Sequence, residues 1–315
     1  MAASQGDYPG VSSSGLGGGA TNEPLTPEVV AALVPDRPAE AHKYRFGRVL
    51  ALAGSEAFPG AALLCVRAAA RCGAGVVTLA SHPTVRSVVA VAAPEITHLS
   101  LDPEGAPIGP GLWERLDGAS AVLVGPGLGR TQPTRDLVRA AVRRCTGRGI
   151  PLVVDADGLV ALAEDQDLLQ ALGPTTIVTP HAAEWQRLRG GRGLAADQPL
   201  WSQAADDART WGATLIAKGA RSTVAEPGGR TATWPHPNPA LATGGTGDVL
   251  AGICAGLLAQ GLSAWDAARL AVVVQALAAE RVLAQRRWRT LLASDLWDEI
   301  PAVLHSLAAA RTSAS

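Results

Sequence analysis

The sequence predicts an α/β fold: a mostly parallel sheet with helices on both faces, a three-layer sandwich. Three observations carry this. Short β-rich runs alternate with helical patterns along most of the chain, which is the signature of βαβ units. The runs end in Gly, Asp, Pro or His, the residues that turn a strand toward a following helix. One pair of short runs alone is joined closely enough for a hairpin, so the remaining strands need helical crossovers.

Taken in order, "RVLALAGS" reads as a strand before a helix over 60–72, and "GVVTLAS" precedes a helix over 84–92. "AVLVGPG" precedes a helix over 133–146, and "IPLVVDADG" and "TTIVTPH" each lead into a helix. "ATLIAKG" is followed by "STVAE" and "RTATW", whose connection through Pro227, Gly228 and Gly229 predicts a hairpin. Beyond Gly247 the chain reads as helical, with Ser263 and Asp266 forming a capping-box start for a long helix. No repeat and no second linker interrupt this, so one domain is expected over 25–315, preceded by a flexible Ser/Gly-rich tail over 1–24.

The bulk numbers narrow the class of function. A formal net charge of -1 argues against a nucleic-acid or anionic-membrane partner. The tail has neither the basic nor the apolar region of a secretory signal. No run reaches the ~20 apolar residues of a membrane span. Cys65, Cys72, Cys145 and Cys254 have no CxxC spacing and lie in apolar segments, so they read as reduced core residues. Together these predict a cytoplasmic, water-soluble protein. Of 27 basic residues only Lys43 and Lys218 are lysines. Both lie in glycine-containing segments, where a thin-stemmed ammonium can enter a phosphate site too tight for a guanidinium.

In a parallel sheet ligands bind at the carboxyl ends of the strands. "AGSEAFPGA", "GPGLGR", "DADG", "TPHAAE", "AKGA" and "TGGTGD" are therefore expected to converge on one site. The last of these carries the chemistry. Gly244, Gly245, Thr246 and Gly247 form a tight turn that directs backbone N–H groups inward, and the helix that follows adds the positive end of its dipole. That is an anion hole suited to a transferring phosphoryl group. Asp248, in the first turn, either caps the helix or takes the proton of an attacking hydroxyl. Three glycines and two threonines ahead of it favour the second role.

"NPALATGGTGDVLAG" resembles the anion-hole signature of ribokinase-like kinases, and in particular that of the ADP/ATP-dependent NAD(P)H-hydrate dehydratases. Matching segments follow in the family's order: "HKYRFGRVLALAGSEAFPGAA", "RCGAGVVTLA", "VGPGLG", "VVDADGL", "TPHAAE" and "AKGA". The resemblance implies a ribokinase-like fold. It also implies an enzyme that uses ADP or ATP, with Mg²⁺, to restore NADH or NADPH that has taken up water at the nicotinamide ring. Phosphorylation of the ring hydroxyl and loss of phosphate would accomplish this, ADP giving AMP. Carried over by position, Ala62, Gly127, His181 and Asp248 would meet the hydrated dinucleotide. Lys218, Gly219, Ala220, Arg221, Ser222 and Gly247 would hold the adenine nucleotide. Glu184 would order a Mg²⁺-bound water, and a homo-oligomer, a homotetramer, would be the assembly.

The residues themselves leave some roles open. Asp155 and Asp157 sit at a strand end, where they either touch water on a metal or form a turn. His181 either meets substrate or caps the helix after Pro180. The chain departs from the family at Tyr44, at Ala182 and Ala183 after "TPH", and at Pro237, and the epimerase domain fused in many members is not expected in it. A sugar or vitamin-precursor kinase shares the anion hole and base. A dinucleotide-binding dehydrogenase is disfavoured by Arg130 in the third fingerprint position of "GPGLGR", and a decayed nucleotide sensor by the intact "GGTGD". No Walker A pattern occurs.

Overall fold

The computed structural model describes residues 21–101, 110–287 and 289–313. In chain order the strands are β1 (Thr21–Pro24), β2 (Arg48–Leu52), β3 (Val76–Ser81), β4 (Thr97–Ser100) and β5 (Ala121–Val124), then β6 (Leu152–Val154), β7 (Thr176–Val178), β8 (Thr214–Ala217), β9 (Thr223–Ala225) and β10 (Arg230–Thr233). The helices are α1 (Pro27–Ala31), α2 (Pro59–Arg71), α3 (Pro83–Ala92), α4 (Pro110–Asp117), α5 (Gln132–Arg148) and α6 (Asp157–Ala163). After them come α7 (Gln166–Gln170), α8 (Ala182–Leu188), α9 (Leu200–Trp211), α10 (Thr246–Ala259), α11 (Ala264–Arg286) and α12 (Leu296–Ser313). The strands form one sheet in the order β1-β10-β9-β8-β7-β6-β5-β2-β3-β4, with β9 antiparallel to both neighbours and every other pairing parallel.

Strand alternation builds the three layers. Val49 and Ala51 face one side of β2 while Leu50 and Leu52 face the other, and Val153 opposes Leu152 and Val154 in β6. The first side packs against α1 to α3 and α10 to α12, the second against α4 to α9. Crossover handedness explains the division. From β2 the chain steps through β3 to β4 in one direction across the sheet, and from β5 through β6 and β7 to β8 in the other. A right-handed crossover puts its helix on opposite faces for opposite directions of travel. The reversal falls between β2 and β5, where an open parallel sheet has its crevice.

The predicted strands from β2 to β3 and from β5 to β10 are all present, including the β9–β10 hairpin over residues 226–229. Ser263 caps α11, accepting from the Asp266 N–H at 3.1 Å. The four cysteines are buried and free, and burial pushes each thiol upward. Among the described residues no helix is long and apolar enough to cross a membrane.

Two edge elements were not predicted. β4 is largely solvent-facing and carries no apolar alternation. β1 corrects the expected boundary at residue 25, because Thr21–Pro24 belongs to the sheet and pairs with β10. Its hold is polar: the Thr231 hydroxyl donates to Thr21 O at 2.9 Å, and the Thr231 and Thr233 hydroxyls both reach Asn22 Oδ1 at 3.0 Å. A hydrophobic pattern cannot reveal such an attachment. The rest of the expected tail, 1–20, lies outside the described residues.

Candidate active site

All six predicted segments lie at the carboxyl ends of the parallel strands. After β2 the chain passes through Gly54 to the start of α2, and after β5 through Gly125 to Gly129. The Gly54 N–H donates to Pro126 O at 2.7 Å, stitching these two turns together across the reversal point. Gly127 has φ +61°, and a Cβ there would come within 2.7 Å of the Ala61 Cβ and 2.9 Å of the Phe58 Cβ. Only a glycine lets this turn lie so close to the first residues of α2, beside the buried Ala62. The Phe58 side chain at that mouth is 56% exposed.

Directly after β6 stands Asp155, which is 1% exposed. Its Oδ1 accepts the Thr179 hydroxyl at 2.7 Å and the Lys218 ammonium at 2.8 Å. Ala156 follows at φ 50°, ψ −119°, a strained conformation for a residue with a Cβ. Beyond it, Asp157 takes the Gly129 N–H at 2.9 Å and Arg130 Nε at 2.8 Å. Of the two roles left open for these aspartates, neither describes Asp155 well: it is the buried counter-ion of a lysine. Asp157 ties the turn after β5 to the start of α6.

β7 leads through Thr179 to His181, the N-cap of α8. The His181 Nδ1 accepts from Ala183 N at 3.2 Å and Glu184 N at 3.3 Å, and Glu184 Oε2 accepts the His181 N–H at 2.9 Å. This reciprocal box is the capping role expected for His181. It leaves Nε2 at the surface, 3.5 Å from Glu184 Oε1. The box uses Ala183 only through its backbone N–H and Ala182 not at all, so the departure at those two positions leaves the cap intact.

Directly after β8 comes Lys218, whose backbone donates to Pro180 O at 2.9 Å and bridges to His181. Besides Asp155, Glu184 stands 3.8 Å from its ammonium. Burial works against the charge, but Asp155, Glu184 and the hydrogen bond to Asp155 outweigh it and hold the amine above the usual lysine range. Gly219, Ala220 and Arg221 are exposed on the loop toward β9, and Arg221 is tied to Pro235 O at 3.0 Å. Lys43 does not join this site. It precedes β2 and so lies at the opposite, amino end of the sheet, as does the 58%-exposed Tyr44.

α10 completes the arrangement. Gly245, at φ +89°, is its N-cap and has no side-chain cap. This left-handed turn aims the start of α10 at Lys218, whose Nζ lies 3.2 Å from where a Gly247 Cβ would stand. Thr246 braces the turn rather than offering a donor to a ligand. Its hydroxyl bonds Leu241 O at 2.8 Å and Thr243 O at 2.9 Å, and its N–H is directed at Thr243 O at 3.3 Å. Helix geometry leaves the Gly247 and Asp248 N–H groups without an intrahelical acceptor. Of the N–H groups expected to form an anion hole, Thr246's is thus engaged, while Asp248's is left free beside Gly247's.

Among the described residues no donor pairs with the Asp248 carboxylate, so it is not a cap. Burial, then Asp155 against partial relief from Lys218, then Asp157 and Glu184, push its carboxyl up to about 7. A group poised there exchanges a proton readily near neutrality. Three carboxylates, Asp155, Glu184 and Asp248, act on the one ammonium, while Asp157 is committed to Arg130. Two cavities of about 400 and 420 Å³ open elsewhere, at the amino ends of the strands beside Thr214 and Arg45 respectively. The six converging segments lie at the other end of the sheet.

The sequence profile of the NAD(P)H-hydrate dehydratase family matches residues 49–302, spanning β2 through the first turns of α12. The chain belongs to this family. It is 44% identical over 288 residues to the bifunctional NAD(P)H-hydrate repair enzyme Nnr of Salinibacter ruber, covering 88% of this chain and 52% of that protein. The chain thus spans about half the length of that relative. A ribokinase-like superfamily protein from Enterococcus faecalis superposes with a TM-score of 0.81 at 23% identity, over 94% of this chain and 99% of the other, which establishes the ribokinase-like fold. The ADP/ATP-dependent NAD(P)H-hydrate dehydratase of Bacillus subtilis, co-crystallized with ATP and Mg²⁺, superposes with a TM-score of 0.76 at 29% identity, over 90% of this family member and 98% of that chain.

Sequence reasoning missed three features at these strand ends in this dehydratase-family chain: the Thr179 bond to Asp155, the Asp157–Arg130 clamp, and the engagement of Thr246 N–H. Thr179 was within reach, since it follows a strand directly in "TPH". The other two depend on which way a backbone turns.

Proposed function

We propose that this chain removes water from hydrated NADH and NADPH, using ADP or ATP to phosphorylate the hydroxyl that must leave. The observation that supports this most is Asp248. It is an unpaired, largely buried carboxylate in the first turn of a helix whose N-terminus is an anion hole, beside a buried lysine, in a chain of the dehydratase family.

Asp248 accepts the proton of the ring hydroxyl as its oxygen attacks the terminal phosphorus of the nucleotide. The new O–P bond forms while the bond to the bridging oxygen breaks, releasing AMP from ADP or ADP from ATP. Gly247 and Asp248 N–H groups and the Lys218 ammonium face the charge that builds on the transferring oxygens. The ring nitrogen's lone pair then breaks the C–O bond and expels phosphate, and loss of a proton from the adjacent ring carbon restores the dihydropyridine. Gly127 allows the dinucleotide to approach the backbone at the β2–β5 crevice; Ala62, expected to meet it directly, is fully buried and instead packs beneath the Gly54 turn, while His181 offers an exposed ring edge. The excess of carboxylate over cation fits a nucleotide that arrives with a hard divalent ion. Mg²⁺ would neutralise phosphate charge, and Glu184 would hold a water of its shell.

The test is to incubate hydrated NADH with the protein, Mg²⁺ and either nucleotide, following the near-ultraviolet absorbance of NADH. Nucleotide-dependent regeneration is expected, with one nucleotide cleaved per NADH formed. Nucleotide cleavage that leaves a stable phosphorylated product and no NADH would instead make the chain a kinase.

A further inference from the structure

We propose that Asp155 is a positioning residue of this site: its buried carboxylate anchors the Lys218 ammonium against the anion hole, so that the remaining ammonium hydrogens point at the nucleotide's terminal phosphates. The inference rests on the nucleotide-binding reading above. It adds a residue that touches neither nucleotide nor dinucleotide.

The geometry is specific. Asp155 is 1% exposed, yet it extends from the carboxyl end of β6 into the crevice between β7, β8 and α10. Both Thr179 and Lys218 donate to the same oxygen, Oδ1. Oδ2 makes no hydrogen bond among the described residues and lies 4.0 Å from the position of a Gly247 Cβ. Thr179 is itself fully buried, so its hydroxyl fixes the carboxylate's rotation rather than meeting a ligand. A lysine ammonium has three hydrogens. One is spent on Asp155, and Glu184 at 3.8 Å is too distant for a second hydrogen bond. Two are left to face Gly247 and the start of α10. A four-carbon stem is flexible, and without the anchor the charge would remain in the site but wander. Misplacement by about 1 Å is enough to cost on the order of 10²-fold in rate.

A residue acting through Lys218 is separable from one that merely supports the fold. Asp155→Asn keeps an acceptor for Thr179, leaves the Lys218 charge in place and removes the anchor's charge. We expect ADP affinity by calorimetry to stay within about threefold of wild type while kcat falls at least tenfold. With kcat read at a pH well above the Asp248 limb, where its ionisation no longer depends on Asp155, the same Asp155→Asn change in a Lys218→Met background is expected to cost less than threefold, because no ammonium is left to place. It should also raise the melting temperature there, by relieving a buried unpaired carboxylate. Thr179→Val, which keeps the shape, should lower kcat less than Asp155→Asn and likewise lose its effect in the Lys218→Met background. An equal loss of kcat in both backgrounds would overturn the proposal, as would wild-type kcat in Asp155→Asn. If wild-type protein binds ADP but regenerates no NADH, the dehydratase reading falls. The same variants then read the anchor through the nucleotide cleavage rate and the melting temperatures. Failure of wild-type protein to bind ADP or ATP would overturn both.

Discussion

Replacing Asp248 by Asn should make the protein more stable and nearly inactive. The carboxyl is raised from 3.8 to about 7. The folded state therefore holds a proton that the unfolded state releases, and the associated stability is fully present below pH 4 and lost as pH rises through 7. Three units at about 1.4 kcal/mol each put the cost of the ionised form at roughly 4 kcal/mol, reduced to about 2–4 by residual solvent screening. Asparagine is neutral at every pH and, because Asp248 caps nothing, gives up no helix bond. At pH 8 the variant should melt about 4–8 °C above wild type, taking about 2 °C per kcal/mol for a chain of this size. At pH 4 the two should coincide. Turnover should fall by roughly 10²–10⁴-fold, the span for loss of a positioned general base. Thermal melts at both pH values and turnover at pH 8 check this on one preparation. A lower melting temperature at pH 8 would mean that Asp248 serves the fold, and near-normal turnover would remove it from the mechanism.

The same titration predicts that kcat/KM of the wild-type protein rises with pH through an acid limb near 7, measured with ADP held saturating; a limb near 4 would refute it. Lys218→Arg should raise the nucleotide KM about tenfold with the melting temperature nearly unchanged, because the wider guanidinium must fit between Asp155 and Gly247; wild-type kinetics would refute the tight fit. Gly127→Ala should raise the KM for hydrated NADH and destabilise by about 1–3 kcal/mol, since φ +61° and the 2.7 Å approach to Ala61 both resist a Cβ; an unchanged KM would place the dinucleotide elsewhere. Deletion through Pro24 should lower the melting temperature relative to deletion through Ala20, because it removes β1 and its bonds to Thr231 and Thr233; equal melting temperatures would show that the strand contributes nothing.

Central strands were legible because burial on both faces demands continuous apolar runs, as in "AVLV" and "TLIA". The edges were not, because β1 and β4 each have one neighbour and are held by polar bonds and backbone pairing. Glycine-rich turns announced the site, since a left-handed Gly245 and a close-packed Gly127 leave a mark in composition. Side-chain partners left none.

The sequence by itself determined the alternation of strands and helices, the one hairpin, the glycine turn ahead of α10 and the residue types that converge there. Only the tertiary structure decided that Lys43 lies at the far end of the sheet from Lys218, that Asp155 is the lysine's counter-ion, and that Asp248 stands unpaired with its carboxyl near 7. Local sequence governs backbone conformation through nearby torsions and burial. A carboxylate's proton affinity and a lysine's partner are set instead by groups 30 to 93 residues away, which meet only once the sheet has brought its strand ends together.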